Sequence, residues 1–180
     1  MLGNESLWDV ARECHEVLQR AGIPHAIIGG LAVCTHGYQR NTVDLDVLIG
    51  AARANDVRAA MEGAGFKWSD ETAEFRSSAG IPVQFVNAAD RAGPGSEVRL
   101  PDPGDKSAVT EIDGLPVLSL AKLIESKIAC GEGNLRRTHK DFADVVELIA
   151  KHDLNRSFAR HLHKSLRGTF RGLVGRARGE

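Results

Sequence analysis

Thiols are scarce in this chain. Its three cysteines, Cys14, Cys34 and Cys130, are an odd set with no CxxC spacing. That argues against a disulfide framework and against a zinc site built on thiolates. The seven histidines include no HExxH. His161-x-His163 is an isolated pair near a basic end and reads as surface. No apolar run approaches the roughly 20 residues that span a bilayer. The start, "MLGNESLWDV", lacks the basic and apolar regions of a secretory signal. No membrane contact and a cytoplasmic, reducing compartment are therefore expected. Neither GxxxxGK[ST] nor GxGxxG occurs, so the P-loop and Rossmann readings fail. Net charge is lacking too: 23 Lys and Arg against 24 Asp and Glu leave −1, with no global pull toward a polyanion. Locally, residues 151–180 carry eight Lys or Arg against Asp153 and Glu180. Such a basic tail marks either a polyanion contact or a solvated last helix.

What is present suits one globular domain, or a domain with a small helical extension: 180 residues, 42% hydrophobic and 26% charged. Ser6-x-x-Asp9 has the capping-box pattern, and Leu7, Val10, Ala11, Cys14, Val17 and Leu18 follow at helical spacing. Gly22 and Pro24 end that helix. His25–Ile28 reads as a buried strand, residues 31–36 as a short helix after a Gly-Gly turn, 43–49 as an alternating strand, and 52–64 as an amphipathic helix. Short strands are expected at 66–68, 74–77 and 81–86. The Gly-, Pro- and Asp-rich stretch 88–105 is expected to be a long mobile loop, and 109–112 to pair briefly with the sheet. Helices then dominate: 119–129, 138–151 and 156–166. The final "RGLVGRARGE" holds too much Gly for a firm helix and is expected to fray. The sum is an α/β (α+β) layout, a mixed sheet in front and a helical bundle behind. The expected division is 1–115 for the core and 116–180 for the helical region.

Two features interrupt apolar surroundings in "IIGGLAVCTHGYQRNTVDLDVLI". Gly29-Gly30 ends one strand, and Asp44 and Asp46 punctuate the next after thirteen intervening residues. Side chains at i and i+2 of a strand share a face, roughly 6–7 Å apart. Two carboxylates so placed repel unless a cation lies between them, and Mg²⁺ takes carboxylate, phosphate and water oxygens. The bland alternative is a half-exposed strand whose outer face carries two aspartates. A Gly-Gly turn into a helix bares backbone N–H groups and can cradle phosphate, although it is also simply a tight turn. Together the two features suit a nucleoside triphosphate held through Mg²⁺ or Mn²⁺.

These residues resemble the signature of the DNA polymerase β-like nucleotidyltransferase superfamily: an apolar residue, Gly-Gly, a spacer, then two carboxylates around one apolar residue. "GYQRNTVDLD", with Arg40 and Thr42 ahead of the pair, is similar to the small bacterial branch, which includes aminoglycoside nucleotidyltransferases and toxins of the abortive-infection and MenT kinds. In "KLIESKIACGEGNLRRTHKDFADVVELI", Lys127, Lys140-Asp141 and Asp144 resemble a second segment of the toxin branch. The resemblance implies a nucleotidyltransferase-type fold. It implies metal binding by Asp44 and Asp46, nucleotide binding by Gly29, Gly30, Arg40, Thr42 and Lys127, and catalytic roles for Asp44, Asp46, Lys127 and Asp141. It also implies an NTP substrate, a hydroxyl acceptor such as tRNA or another RNA, an aminoglycoside or a protein, and, for a toxin, an antitoxin partner.

Plainer readings accompany the second segment. Lys127 falls on or beside an apolar stripe with Leu120, Leu123, Ile124 and Ile128. It either snorkels to solvent or meets a partner charge. Thr138-x-x-Asp141 has the capping-box pattern, which gives Asp141 a structural use. Arg136 and Arg137 either pair with phosphate or RNA or remain solvated. One position departs from the superfamily pattern: the third carboxylate, expected in "GIPVQFV", is Gln84, a poor Mg²⁺ ligand that takes no proton at neutral pH. Asp141 reaching over, Glu74 substituting, or nucleotide binding without transfer are the three outcomes left open.

Overall fold

The structure, a computed structural model, describes residues 4–179, and side chains from residue 7 onward. Helix α1 (Asn4–Arg20) lays Leu7, Val10, Cys14 and Leu18 into the core. It begins ahead of Ser6, so the expected capping box does not open it; the side chain of Ser6 lies outside the described residues. Gly22 ends the helix at φ +64°, and the Ile23 N–H reaches back to Leu18 O at 2.9 Å. This is the left-handed stop that a residue without Cβ supplies most cheaply.

Strand β1 (His25–Ile28) is buried throughout and runs straight into α2 (Gly29–Thr35). Strand β2 (Leu45–Ile49) returns antiparallel to β1, with Ile28 opposite Asp46. A 3₁₀ turn (Ala51–Arg53) and α3 (Ala54–Gly63) lead to β3 (Lys67–Ser69), β4 (Glu74–Arg76) and β5 (Pro82–Asn87). The hairpin β6 (Val109–Ile112) and β7 (Leu115–Leu118) completes one mixed sheet, ordered β3-β4-β5-β2-β1-β7-β6. Helices α4 (Leu120–Gly133), α5 (Thr138–Lys151) and α6 (Arg167–Arg178) follow, with 3₁₀ turns at Arg156–His161 and Lys164–Leu166. Helix α2 packs on β1, β2 and α4; α4 packs on α5, and α5 on α6. Two histidines clamp these layers. His36 Nε2 donates to Leu118 O and His152 Nε2 to His36 O, each at 2.8 Å.

Four expectations need correcting. First, β2 starts at Leu45, and Val43 is 63% exposed. Its neighbour β1 ends at Ile28, opposite Asp46, and β5 on the other side begins only at Pro82, so no strand residue lies opposite Val43. Second, residues 115–118, given no element in the sequence reading, form strand β7. It pairs parallel with β1 through Ile27 and Val117, while β6 is its hairpin mate. Third, the stretch 156–166 is two 3₁₀ turns, not one helix. Fourth, the glycine-rich end forms α6, because Phe170, Leu173 and Val174 are buried and tertiary packing outweighs poor propensity. The 88–105 stretch carries its own small ladder, with an Arg91–Arg99 bridge and the Ala92 N–H bonded to Val98 O.

Candidate active site

The end of β1, the start of β2 and the two helices α4 and α5 converge on one place. Gly29 has φ +67°, and a Cβ there would overlap Asp46 Oδ2. Gly30 is held as tightly: a Cβ would run into Thr42 Oγ1 and Arg40 Nη2. The glycines therefore do more than turn the chain. They let the first turn of α2 lie flush against the carboxylate of Asp46 and the side chains of Thr42 and Arg40. Thr42 is buried, and its hydroxyl donates to Asp44 Oδ1 at 3.2 Å, which orients the first carboxylate. Gly29, Gly30, Arg40, Thr42, Asp44 and Asp46 are thus one local cluster.

Asp46 makes no hydrogen bond or ion pair with its side chain among the described residues. Burial pushes its carboxyl up to about 6; Asp44 adds to the rise, while Lys127, Arg137 and Lys140 pull the other way. A half-buried carboxylate beside a second one, bonded by no cationic side chain among the described residues, is one whose charge a bound cation would offset. The donor set of two hard oxygen ligands fits Mg²⁺ or Mn²⁺ completed by phosphate and water. Among the described residues no group of three His, Cys, Asp or Glu side chains is arranged to hold a metal ion, so the protein offers the pair alone.

Across the sheet, Asp46 is in register with Gln84 on β5. Gln84 Nε2 donates to Glu74 Oε2 at 3.1 Å, and Arg76 Nη2 donates to Glu74 Oε1 at 2.5 Å. Glu74 is buried one strand further out, with both oxygens engaged. The structure therefore places Glu74 as the partner of Gln84 and Arg76, two strands from the aspartate pair.

Lys127 does not snorkel. It is buried, with Nζ 3.0 Å from Asp141 Oδ1 and 2.8 Å from Asp144 Oδ2. Arg40 Nε lies 2.8 Å from Asp144 Oδ1, and Arg137 Nε lies 3.4 Å from Asp141 Oδ2. Five charges thus form a chain, Arg40–Asp144–Lys127–Asp141–Arg137, that joins the sheet end to α4 and α5. The expected capping box at Thr138 is not formed. Thr138 lies inside α5, and its hydroxyl donates to Gly131 O at 2.7 Å. Asp141 is fully buried and turned to Lys127 instead. Its Oδ2 and that of Asp144 lack a well-aligned hydrogen-bond donor, which leaves acceptor capacity on both carboxylates.

The sequence reading left Arg137 between phosphate and solvent, and it gave Cys130 no place near the site. Arg137 is half-exposed at i−4 from Asp141, a spacing that signals such pairs on a helix. Cys130 lies within the field of Asp141, Lys127 and Asp46, and burial pushes its thiol up. No spacing rule marks it.

No family model and no curated protein matches the sequence. Solved structures do resemble it. ANT(2'')-Ia, solved in complex with adenylyl-2''-tobramycin, has a TM-score of 0.61 at 17% identity, covering 93% of this chain and 98% of that one. An antigenic nucleotidyltransferase-like protein from Paracoccidioides brasiliensis also scores 0.61 at 17% identity, over 99% and 91% of the chains. A candidate nucleotidyltransferase from Thermotoga maritima scores 0.58 at 17% identity, over 79% and 96%. The chain has the nucleotidyltransferase fold.

Proposed function

We propose that this chain is a metal-dependent nucleotidyltransferase that moves a nucleoside monophosphate from an NTP to a hydroxyl acceptor. The observation that carries the reading is the contact of Gly29 with Asp46. The turn suited to phosphates and the carboxylate pair suited to a metal form one surface. In this reading Asp44 and Asp46 hold Mg²⁺ or Mn²⁺, which supplies charge neutralisation at the phosphates. Backbone N–H groups at Gly29-Gly30, with Arg40, Thr42 and Lys127, orient the triphosphate. An acceptor hydroxyl attacks the α-phosphorus, the bond to the bridging oxygen breaks, and pyrophosphate leaves. In this reading the hydroxyl proton goes to Asp141, whose Oδ2 keeps acceptor capacity beside Lys127, as does that of Asp144. Positioning and charge neutralisation supply most of the rate. RNA or tRNA, an aminoglycoside or a protein could each supply the hydroxyl. A toxin role would add an antitoxin partner and a cytoplasmic setting. No helix among the described residues is long and apolar enough to cross a membrane.

A second reading, a nucleotide-binding module that no longer transfers, is favoured by one observation. Gln84 faces Asp46 across the β2–β5 register where a third carboxylate would complete the site. One assay separates the two. The protein is incubated with Mg²⁺, each labelled NTP in turn, and RNA, aminoglycosides or cell protein. Transfer that vanishes in Asp44→Ala supports the enzyme. Metal-dependent NTP binding with no labelled acceptor supports the silent module, and absence of such binding rejects both.

A further inference from the structure

Strands β2, β5 and β4 carry one row of polar side chains across the sheet. Asp46 is in register with Gln84, and the pairing of Phe75 with Val83 sets Glu74 beside Gln84. In-register neighbours project from the same face, so Gln84 stands between the aspartate pair and the next carboxylate. That carboxylate is already committed. Glu74 is buried, with one oxygen bonded by Gln84 Nε2 at 3.1 Å and the other by Arg76 Nη2. The first of these bonds also orients the amide. An ionised carboxylate only accepts, so Gln84 turns its NH₂ to Glu74 and keeps Oε1 on its other branch. An amide oxygen accepts a hydrogen bond from water but brings no charge to a cation.

The aspartate pair has little to spare for a second ion. Asp44 Oδ1 accepts from the Thr42 hydroxyl. Lys127, Arg137 and Lys140 all act on Asp46 as positive charges. The buried chain behind them sets Arg40, Lys127 and Arg137 against only Asp141 and Asp144. Two-ion centres for phosphoryl transfer hold their ions roughly 3.5–4 Å apart, and a second ion here would have to share the same two carboxylates beside these cations.

From this row we infer that the site takes one divalent ion, not two, and that Gln84 sets the count. The inference rests on the transferase reading above and fixes the make-up of its centre. The attacking hydroxyl is then left to protein groups alone.

The test titrates Mn²⁺ into the full chain with an NTP analogue whose α and β phosphates are joined through carbon, protein being in excess over nucleotide. Bound ion per nucleotide is counted by calorimetry and by electron paramagnetic resonance, in which two ions at the spacing of a two-ion centre give the split lines of a spin-coupled pair. Asp46→Asn sets the background count. The parent should bind one ion with no coupled signal. Gln84→Asp, which adds a carboxylate to the row, should bind two and show the coupling, whereas the equally short but uncharged Gln84→Asn should keep one. A coupled pair in the parent or in Gln84→Asn overturns the inference and leaves the transferase reading standing. So does a count of one in a folded Gln84→Asp; should that variant not fold, Gln84→Glu takes its place under the same criterion. Absence of any Mn²⁺-dependent binding of the analogue would instead reject the transferase reading itself.

Discussion

Gly29 is where the backbone and the chemistry constrain each other most. It needs both a positive φ and an open Cβ position against Asp46, whereas Gly22, at φ +64°, needs only the first. Gly22→Ala should therefore cost about 1 kcal/mol and Gly29→Ala distinctly more, roughly 2–4 kcal/mol, measured by chemical denaturation of each variant. Equal costs would show that Asp46 yields freely. Asp46 itself carries the opposite prediction. Its carboxyl titrates near 6 in the folded chain and near 4 when unfolded. Between those values the folded state keeps a proton that the unfolded state has lost. Stability from this group is thus full below about pH 4 and is lost as pH rises through about 6. In metal-free buffer, Asp46→Asn should be more stable than the parent at pH 8, by up to about 3 kcal/mol, with the gap closing toward pH 4. Thermal melts across that range check it.

At the scale of elements, legibility followed locality. The β1–α2–β2 unit could be read from the sequence because its signals lie close together: a short apolar run, two glycines and an alternating strand. The boundary at Val43 could not, since it depends on where β1 stops offering partners. Strand β7 was missed although Asp113-Gly114 is a strong hairpin signal between apolar runs; both residues have positive φ. The capping-box reading of Thr138 failed because Thr138 bonds back to Gly131 and Asp141 turns to a lysine fourteen residues earlier, a contact no local pattern encodes. Helix α6 defied its glycines through burial of Phe170, Leu173 and Val174. Gly168 and Gly172 remain exposed there, and an added Cβ would meet nothing within 4 Å. Gly168→Ala and Gly172→Ala should each stabilise by about 0.5–1 kcal/mol, read as a raised denaturation midpoint. No gain would mean that α6 is not a persistent helix.

For the whole molecule, the buried charge chain joins the sheet to the helical part. Arg40 comes from the segment before β2, Lys127 from α4, and Asp144 from α5 touches both. Asp144→Ala would leave two cations without this partner and should cost roughly 3–5 kcal/mol, against about 1 kcal/mol for an ordinary substitution. A smaller loss in urea unfolding would show that water already shares the network. The larger claim is that the glycine turn and the aspartate pair are halves of one nucleotide site. Titration calorimetry of NTP, with and without Mg²⁺, on the parent and on Asp46→Asn tests that directly. Binding should require the metal in the parent and fall at least about tenfold in Asp46→Asn, even though that variant is the more stable protein. Equal NTP binding with and without Mg²⁺, or undiminished binding in Asp46→Asn, would contradict the account.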